Sequence, residues 1–303
     1  MPAPVIVAGE ALIDIVVSRR GEAEHVGGSP TNVAIGLTRL GHPTSLATHI
    51  GTDERGERIS EALAAEHVAL APGSTTAQRT PTATALLGDD GAATYAFKLE
   101  WQLDPQLPVP DGAHVHTGSI GAILQPGATA VKEILQRVGE THTISYDPNA
   151  RPQLMGHAQD VRAQVDDLVA LSDVVKASDE DVEWLYPHKS LEDTLRHWVA
   201  LGATLGVITR GGQGALVYIG GQIHRVALPP VEVTDTVGAG DSFMAGLLSG
   251  LLDAELLGGA DARERLEQAD FPTIEPALAR ALACAAITVS RAGANPPRRD
   301  ELS

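Results

Sequence analysis

Cysteine and long apolar runs are both scarce in this chain of 303 residues. Cys284 is the one cysteine, so no disulfide can form within the chain. Its apolar neighbours (ALACAAITV) are typical of a small core residue rather than a catalytic thiol. No apolar run reaches the roughly 18 residues that a membrane-spanning helix needs. The N-terminal segment also lacks the basic start of a secretion signal, and we therefore expect a cytoplasmic protein.

Positive charge is also in short supply. The chain has 22 Lys and Arg against 39 Asp and Glu, which gives a net charge of −17 at pH 7. Nucleic acids and anionic membranes are bound mainly through Lys and Arg that neutralise phosphates, so neither is an expected partner. An anionic substrate would need a local cationic patch or a metal ion, and Mg²⁺ bound to ATP would serve.

The rest of the composition, 43% hydrophobic and 20% charged residues, is that of an ordinary globular protein. Strand-like and helix-like patterns alternate for most of the length, which is typical of a parallel sheet covered by helices. We predict one α/β domain over residues 1–303: a three-layer, doubly wound, mostly parallel sheet with lid strands inserted at about 10–27 and 80–102.

Individual elements follow from the hydrophobic period and from the turn residues. Strands are predicted at 5–9, 44–51, 114–120, 141–149, 173–178, 204–211 and 231–235, with a hairpin at 214–228 that turns at Gly220 and Gly221. Helices are predicted at 30–41, 53–68, 126–139, 157–171, 178–186, 190–201, from about 238 onward, and at 275–292. The segment 254–275 is interpreted as a surface connection.

The segments 82–88 and 94–99 alternate as an exposed antiparallel hairpin would, with a turn at 89–91. We expect this hairpin to cover a ligand. Its candidate contacts are Tyr95, Phe97, Lys98 and Trp101. The exposed edge and the aromatic residues could instead form the seam of a dimer, and we expect a homodimer through the lid.

The segment DTVGAGDSFMAG (235–246) carries the strongest chemical signal. Gly238 and Gly240 allow successive amide groups to point into one concavity, and the apolar residues after them predict a helix. Such a glycine cradle at a helix N-terminus attracts phosphate. The carboxylate of Asp241 would repel an anionic ligand, so its presence there indicates a function. Accepting a proton from an attacking hydroxyl is such a function. Alternatively, Asp241 only complements the helix dipole and the glycines only form a turn.

Ligands of a doubly wound sheet gather at the C-terminal ends of its strands. Polar clusters fall at such ends, namely Asp14, 27–32 (GGSPTN), 146–151 (YDPNAR), 176–181 (KASDED), 209–214 (TRGGQG) and 235–241.

Together these clusters resemble the ribokinase-like carbohydrate kinases, also called the PfkB family, which pass the γ-phosphate of ATP to a sugar hydroxyl. The segment GGSPTNVAIGLTRLG (27–41) is similar to the N-terminal signature of the family, and DTVGAGDSFMAG matches its C-terminal signature. The resemblance extends from Glu10 to Pro297. It implies a sugar and ATP as ligands, with Mg²⁺ as cofactor.

By position, the resemblance implies that Asp241 is the general base and that Gly238, Ala239 and Gly240 form the anion hole. It implies sugar-binding roles for Asp14, Gly28 and Asn32, although Asp14 could be a surface strand residue and Asn32 a helix cap. We add Lys98 and Arg151 as candidate sugar contacts. The implied nucleotide-binding residues are Lys176, Thr209, Gly211, Gly214 and Asn295.

Two carboxylates are candidate metal ligands. Asp235, together with the segment SRAGANPP (290–297), resembles a family site for a monovalent cation, which implies K⁺. The family often carries N-x-x-E to organise Mg²⁺, whereas this chain has Ser178 and Asp181 there. The shorter Asp181 side chain favours a metal contact through water, and a solvated helix N-terminus is the alternative.

YDPNARP and RAGANPP resemble fructokinases, so fructose is the expected substrate. The alternative is 2-keto-3-deoxygluconate, whose kinases carry a similar D-x-N-x-R-P. Arg151 could pair with a sugar-acid carboxylate, contact phosphate or cap a strand end. A nucleoside kinase and a sugar or nucleotide sensor without turnover are further alternatives on the same fold.

Overall fold

The computed structural model describes residues 2–19, 21–87, 93–228 and 231–302. The predicted turn at 89–91 lies outside these ranges. The strands are β1 (Val5–Ala8), β2 (Leu12–Ser18), β3 (Gly21–Gly27), β4 (Thr44–Ala47), β5 (Ala69–Leu70), β6 (Thr82–Leu87), β7 (Ala93–Lys98), β8 (His114–Gly118), β9 (Thr143–Asp147), β10 (Val174–Ser178), β11 (Leu205–Thr209), β12 (Ala215–Ile219) and β13 (Gln222–Val226). The helices are α1 (Ser29–Arg39), α2 (Glu54–Ala65), α3 (Gly127–Val138), α4 (Pro152–Met155), α5 (Ala158–Ala170), α6 (Asp179–Leu185), α7 (Leu191–Leu201), α8 (Ala239–Asp253), α9 (Ala260–Glu267) and α10 (Phe271–Val289).

Across the described ranges, nine strands form the main sheet in the order β13-β12-β11-β10-β9-β8-β1-β4-β5. The strands from β11 to β5 run parallel, whereas β12 at one edge of the sheet pairs antiparallel with both β11 and β13. Apolar clusters cover both faces of the sheet. The predicted mostly parallel α/β sheet is therefore confirmed, and the C-terminal ends of its parallel strands open on one side of the molecule.

A second, smaller sheet contains the strands predicted to form a lid, and it is called the lid here. Its four strands in the described ranges are ordered β3-β2-β6-β7, with β2 and β6 parallel and the two outer pairs antiparallel. These strands fall inside the predicted lid segments, and the predicted β6–β7 hairpin is confirmed. One face of β2 carries Ile13 and Ile15 into the core, whereas Asp14 points to the other face. Because side chains alternate along β2, Ile13 and Ile15 pack the lid against the core, and Asp14 lies on the opposite face.

The structure corrects the sequence predictions for two segments, 231–235 and 254–275. The segment 231–235 is not a strand, because the amides of Thr234 and Asp235 both bond to the carbonyl of Val289 at the end of α10 instead of to another strand. The segment 254–275 is not only a connection: it contains α9 and the start of α10, which begins four residues before the predicted 275. Only Ala262 and Leu266 of α9 are buried, so its apolar period is too short to detect in the sequence.

The central helix α8 differs from the predicted amphipathic helix. It lies between α1 and α10, and every residue from Asp241 to Leu252 is buried, including Ser242 and Ser249. A helix buried on all faces tolerates no large polar side chain, which explains why small residues separate its leucines. Cys284 on α10 is buried beside it, as predicted, and burial raises the pKa of its thiol to about 12.

Within the described ranges, none of the helices combines the length and apolar character that a membrane crossing requires.

Candidate active site

The lid and the C-terminal ends of the parallel strands enclose a cavity of about 700 Å³, called here the main cavity. Its floor is formed by loops after β1, β8 and β9, one side by the starts of α1 and α8, and its cover by the lid. It is lined by Glu10, Leu12, Asp14, Gly28, Ser29, Asn32, Ala83, Tyr95, Phe97, Ser119, Ile120, Asn149, Arg151, Pro152, Gln153, Leu154, Thr236, Val237, Gly238, Gly240 and Asp241. A volume of several hundred Å³ is that of a small-ligand site.

The glycine cradle (residues 238–240) forms the N-terminus of α8. Gly238 is the N-cap with φ 75°, and a Cβ there would lie 2.6 Å from the Cβ of Ala294, so neither its conformation nor its surroundings accept a side chain. The amides of the first helical turn have no acceptor within the helix, and the dipole makes this end positive. The cradle borders the main cavity and is therefore able to hold an anion.

Asp241 follows the cradle and is 7% exposed. The Ser29 hydroxyl donates to its Oδ1 atom over 2.6 Å, and the Asn32 amide donates to its Oδ2 atom over 2.8 Å. The Asn149 amide lies 3.4 Å from Oδ1. Both donors at the start of α1 hold the carboxylate in one orientation and leave lone pairs for a ligand hydroxyl, which is the geometry that a general base needs.

Asn32, predicted as a sugar contact, therefore orients Asp241 in this structure, while it also borders the cavity. Sequence reasoning assigned no role to Ser29 or Asn149. Ser29 belongs to the same GGSPTN segment, but its contact with Asp241 spans 212 positions. Only the packing of α1 against α8 brings the two residues together.

A buried ion pair lies beside the cradle. Lys176 on β10 donates to Oδ2 of Asp147 on β9 over 2.8 Å, and their side chains are 4% and 1% exposed. Burial acts to lower the pKa of Lys176, but the charges of Asp147, Asp181 and Asp241 outweigh it and the pKa is raised, so the ammonium group stays charged. Its Nζ atom lies 3.1 Å from the position of a Cβ on Gly240. Lys176, predicted as a nucleotide ligand, is thus a cation directly under the cradle.

Such a pair contributes little net stability, because the desolvation of two charges commonly cancels their attraction. The carboxyl group of Asp147 illustrates the cost, since burial raises its pKa to about 6 against the opposing effect of Lys176. A fixed ammonium group next to a helix N-terminus is suited to the negative charge of a phosphoryl group during transfer.

Asp14 faces the main cavity from β2. Burial raises the pKa of its carboxyl group, and His25 and Arg151 oppose the increase. The Oδ2 atom of Asp14 occupies the space that a Cβ on Gly27 would need, 2.0 Å away, so the side chain is held in place by close packing. A carboxylate that is fixed before a ligand arrives suits the recognition of hydroxyl groups.

Arg151 borders the cavity from the loop after β9. Its Nη1 atom donates to the carbonyl oxygens of Asn149 and Ala150 and to Oδ1 of Asn149, over distances from 2.7 to 3.1 Å. The guanidinium group thus caps the end of the strand, one of the three roles considered for it.

The lid contacts are only partly as expected. Tyr95 and Phe97 line the cavity with their rings stacked at 6.1 Å, whereas Lys98 is exposed and does not line it. Trp101 is a core residue rather than a ligand contact: it is 6% exposed and its Nε1 atom donates to the carbonyl of Gly121. The indole ring of Trp101, just after the hairpin, is apolar enough to be buried. The sequence pattern does not distinguish a side chain that faces the ligand from one that faces the core.

The predicted nucleotide residues other than Lys176 lie at or after the end of β11 and in the C-terminal segment, and they do not line the main cavity. Thr209 ends β11, and Gly211 and Gly214 border a short 3₁₀ turn after it. Asn295 is exposed, and its side chain accepts a hydrogen bond from Nη1 of Arg39 over 2.7 Å.

The two candidate metal ligands are both engaged with backbone amides. Asp181 forms a capping box with Ser178 on α6, and its other oxygen accepts from the amide of Ala150 over 2.8 Å. Asp235 accepts from the amides of Val237 and Gly293, and these bonds lower its pKa. The described residues hold no group of three or more His, Cys, Asp or Glu that could bind a metal ion.

Comparisons with known proteins give a consistent result. The chain matches the model of the pfkB family carbohydrate kinase over residues 7–301. It is 36% identical over 265 residues to a fructokinase of Rhizobium leguminosarum bv. trifolii, covering 84% of this chain and 81% of that one. The fructokinase of Vibrio cholerae O395, solved in a fructose, ADP and calcium ion bound form, has a TM-score of 0.83 at 27% identity, covering 99% and 97%. A double mutant of that enzyme in a fructose, ADP and potassium ion bound form has a TM-score of 0.84 at 26% identity, covering 99% and 97%.

Proposed function

The chain belongs to the pfkB family of carbohydrate kinases, and from that membership we propose that it transfers the γ-phosphate of ATP to a primary hydroxyl of fructose. The observation that carries the proposal is the convergence at the start of α8. Asp241 is held by Ser29 and Asn32 at one edge of the glycine cradle, with Lys176 on the other side. A base, an anion hole and a fixed cation are the parts that phosphoryl transfer to an alcohol requires.

The charges of the main cavity favour a neutral sugar. Its described lining contains three carboxyl groups, Glu10, Asp14 and Asp241, but only one cationic residue, Arg151. The Arg151 guanidinium is partly engaged, because its Nη1 atom donates to the backbone carbonyls of Asn149 and Ala150. Carboxylates repel the acid group of 2-keto-3-deoxygluconate but accept hydrogen bonds from fructose, which supports the ketose over the keto acid.

In the proposed reaction the sugar lies between Asp14 and the lid, with its primary hydroxyl directed at Asp241. The hydroxyl oxygen bonds to the γ-phosphorus, the bond from that phosphorus to the β–γ bridging oxygen breaks, and the hydroxyl proton passes to Asp241 as ADP leaves. The amides of residues 238–240 and the Lys176 ammonium group stabilise charge on the transferring group. Tyr95 and Phe97 of the lid exclude water that would otherwise be phosphorylated.

ATP is proposed to lie over the ends of β10 and β11, near Thr209 and the turn from Gly211 to Gly214, with its phosphates extending to the cradle. Mg²⁺ bound with the nucleotide would neutralise phosphate charge, and Asp181 would reach it through water. Tyr95, which is 49% exposed on the lid, supports the homodimer that we propose through this sheet. Light scattering of the purified protein would test it.

The substrate is tested by ADP release with Mg·ATP against fructose, 2-keto-3-deoxygluconate, ribose, glucose and adenosine. We expect kcat/KM for fructose to exceed that for the keto acid by at least tenfold, because one unfavourable buried charge contact is worth about 1.4 kcal/mol or more. Asp14→Asn should raise KM for fructose about tenfold. It should also reduce the ratio of kcat/KM for fructose to kcat/KM for the keto acid.

A preference for the keto acid in the native protein would contradict the assignment and make Arg151 a carboxylate clamp. Turnover of adenosine alone would identify a nucleoside kinase. No ADP with any of the five compounds would leave two alternatives, a sugar outside this set or a sensor without turnover.

We propose further that K⁺ binds near Asp235, whose carboxylate already joins the loop before the cradle to Gly293. A cation there would hold both loops in place around the anion hole. We expect turnover to be roughly fivefold to tenfold faster in KCl than in NaCl at equal ionic strength, and Asp235→Asn to remove most of this difference. Equal rates of the native enzyme in both salts would exclude a functional monovalent site.

A further inference from the structure

Ser119 adopts a backbone conformation that is unusual for any residue with a side chain. It follows β8 with φ 54° and ψ −151°, a region that glycine occupies and other residues avoid. The chain nevertheless carries serine there, although Gly118 precedes it directly. Its amide donates to the carbonyl of Asp147 over 3.0 Å, so neighbouring strand ends hold the strained residue in position.

Ser119 lines the main cavity and lies beside Glu10, a second cavity residue to which the proposed reaction assigns no role. Glu10 is 6% exposed, and its Oε2 atom accepts from the amide of Gly121 over 2.9 Å. Ser119 is close enough to this carboxyl group to oppose the effect of burial on its pKa. Position 121 has to be glycine for this contact, since a Cβ would lie 2.8 Å from the Cα of Gly9 and 2.9 Å from Glu10 Oε2.

Two energetically unfavourable features therefore occur side by side in the main cavity. One is a strained serine backbone, and the other is a carboxyl group that burial shifts to a pKa of about 7, against the opposing effects of backbone amides, Ser119 and Arg151. Strain and buried ionisable groups that occur together in a ligand cavity are more common in binding sites than in structural loops.

We propose that Ser119 and Glu10 form a hydroxyl-binding pair in the main cavity that grips sugar hydroxyls remote from the one that is phosphorylated. The pair contains one donor–acceptor and one strong acceptor, which suits two neighbouring hydroxyl groups of a neutral sugar. Asp14 binds the sugar from the lid side, whereas this pair binds it from the floor of the cavity. The inference rests on the proposed function, because it concerns the sugar of that same site.

The test uses Ser119→Gly in the full-length protein, because a structural role and a binding role predict opposite results. Glycine relieves the backbone strain, so the melting temperature should stay constant or rise. Loss of the hydroxyl should raise KM for fructose about tenfold, while kcat changes less than about threefold and KM for ATP stays constant. Glu10→Gln, which keeps an oxygen for the Gly121 amide, should raise KM for fructose at least as much.

His67→Gly is the matched control, since His67 also has a left-handed backbone, with φ 59°, but is exposed and does not line the cavity. It should leave both KM values unchanged. An unchanged KM for fructose in Ser119→Gly, with native turnover intact, would overturn the hydroxyl-binding pair. Failure of the native protein to phosphorylate any of the tested sugars would instead reject the proposed function, so the two failures are distinguishable.

Discussion

Asp241→Asn is expected to reduce kcat by about 10³-fold or more while the Kd for Mg·ATP changes less than about threefold. The amide is nearly the same size as the carboxylate and keeps one oxygen as an acceptor for Ser29 or Asn32. It cannot take up the hydroxyl proton. Binding of the phosphates depends on the cradle amides and Lys176, which the substitution leaves in place. Steady-state kinetics and calorimetric titration with ATP measure the two quantities.

This substitution also decides between the two roles considered for Asp241. If the carboxylate only complemented the helix dipole, Asp241→Asn would lower the melting temperature and leave kcat near normal. Asp261→Asn is the matched control, because Asp261 is an acidic residue in the first turn of α9 and lies outside the main cavity. Near-native kcat in Asp241→Asn would contradict the general base.

Lys176→Met should lower kcat by about 10²- to 10³-fold, because it removes one cation from the phosphoryl site. It should also destabilise the protein by about 3 to 5 kcal/mol, since Asp147 is left as an unpaired buried charge. A loss of activity alone would therefore be ambiguous. Thermal or denaturant unfolding has to accompany the kinetic measurement.

The double variant Lys176→Met with Asp147→Asn separates the two effects. It removes both charges of the pair, so most of the lost free energy of unfolding should return. The Asn side chain keeps an oxygen that can accept from the amide of Asn149, as Asp147 does over 3.2 Å. We expect kcat to stay about 10²-fold below that of the native protein. Recovery of both stability and kcat in the double variant would show that the pair is only structural.

Local sequence was sufficient for the elements whose signals lie within a few residues. The glycines of the cradle and the apolar spacing after them predict the N-terminus of α8, because a turn and a helical period are local properties. The same holds for the βα alternation and for the hairpin at Gly220 and Gly221, where Ile219 and Gln222 pair. Local patterns failed at 231–235, where the backbone bonds to a distant helix end.

The roles of side chains likewise separate into those set by local spacing and those set by tertiary packing. The sequence by itself determined the family, the order of its two signatures and the position of Asp241 beside the glycine cradle, because each of these is a spacing along the chain. Only the tertiary structure decided that Ser29 and Asn32 orient Asp241, that Asp147 pairs with Lys176 and that Trp101 belongs to the core. These contacts join residues that are 20 or more positions apart, and the packing of helices and strand ends sets their distances.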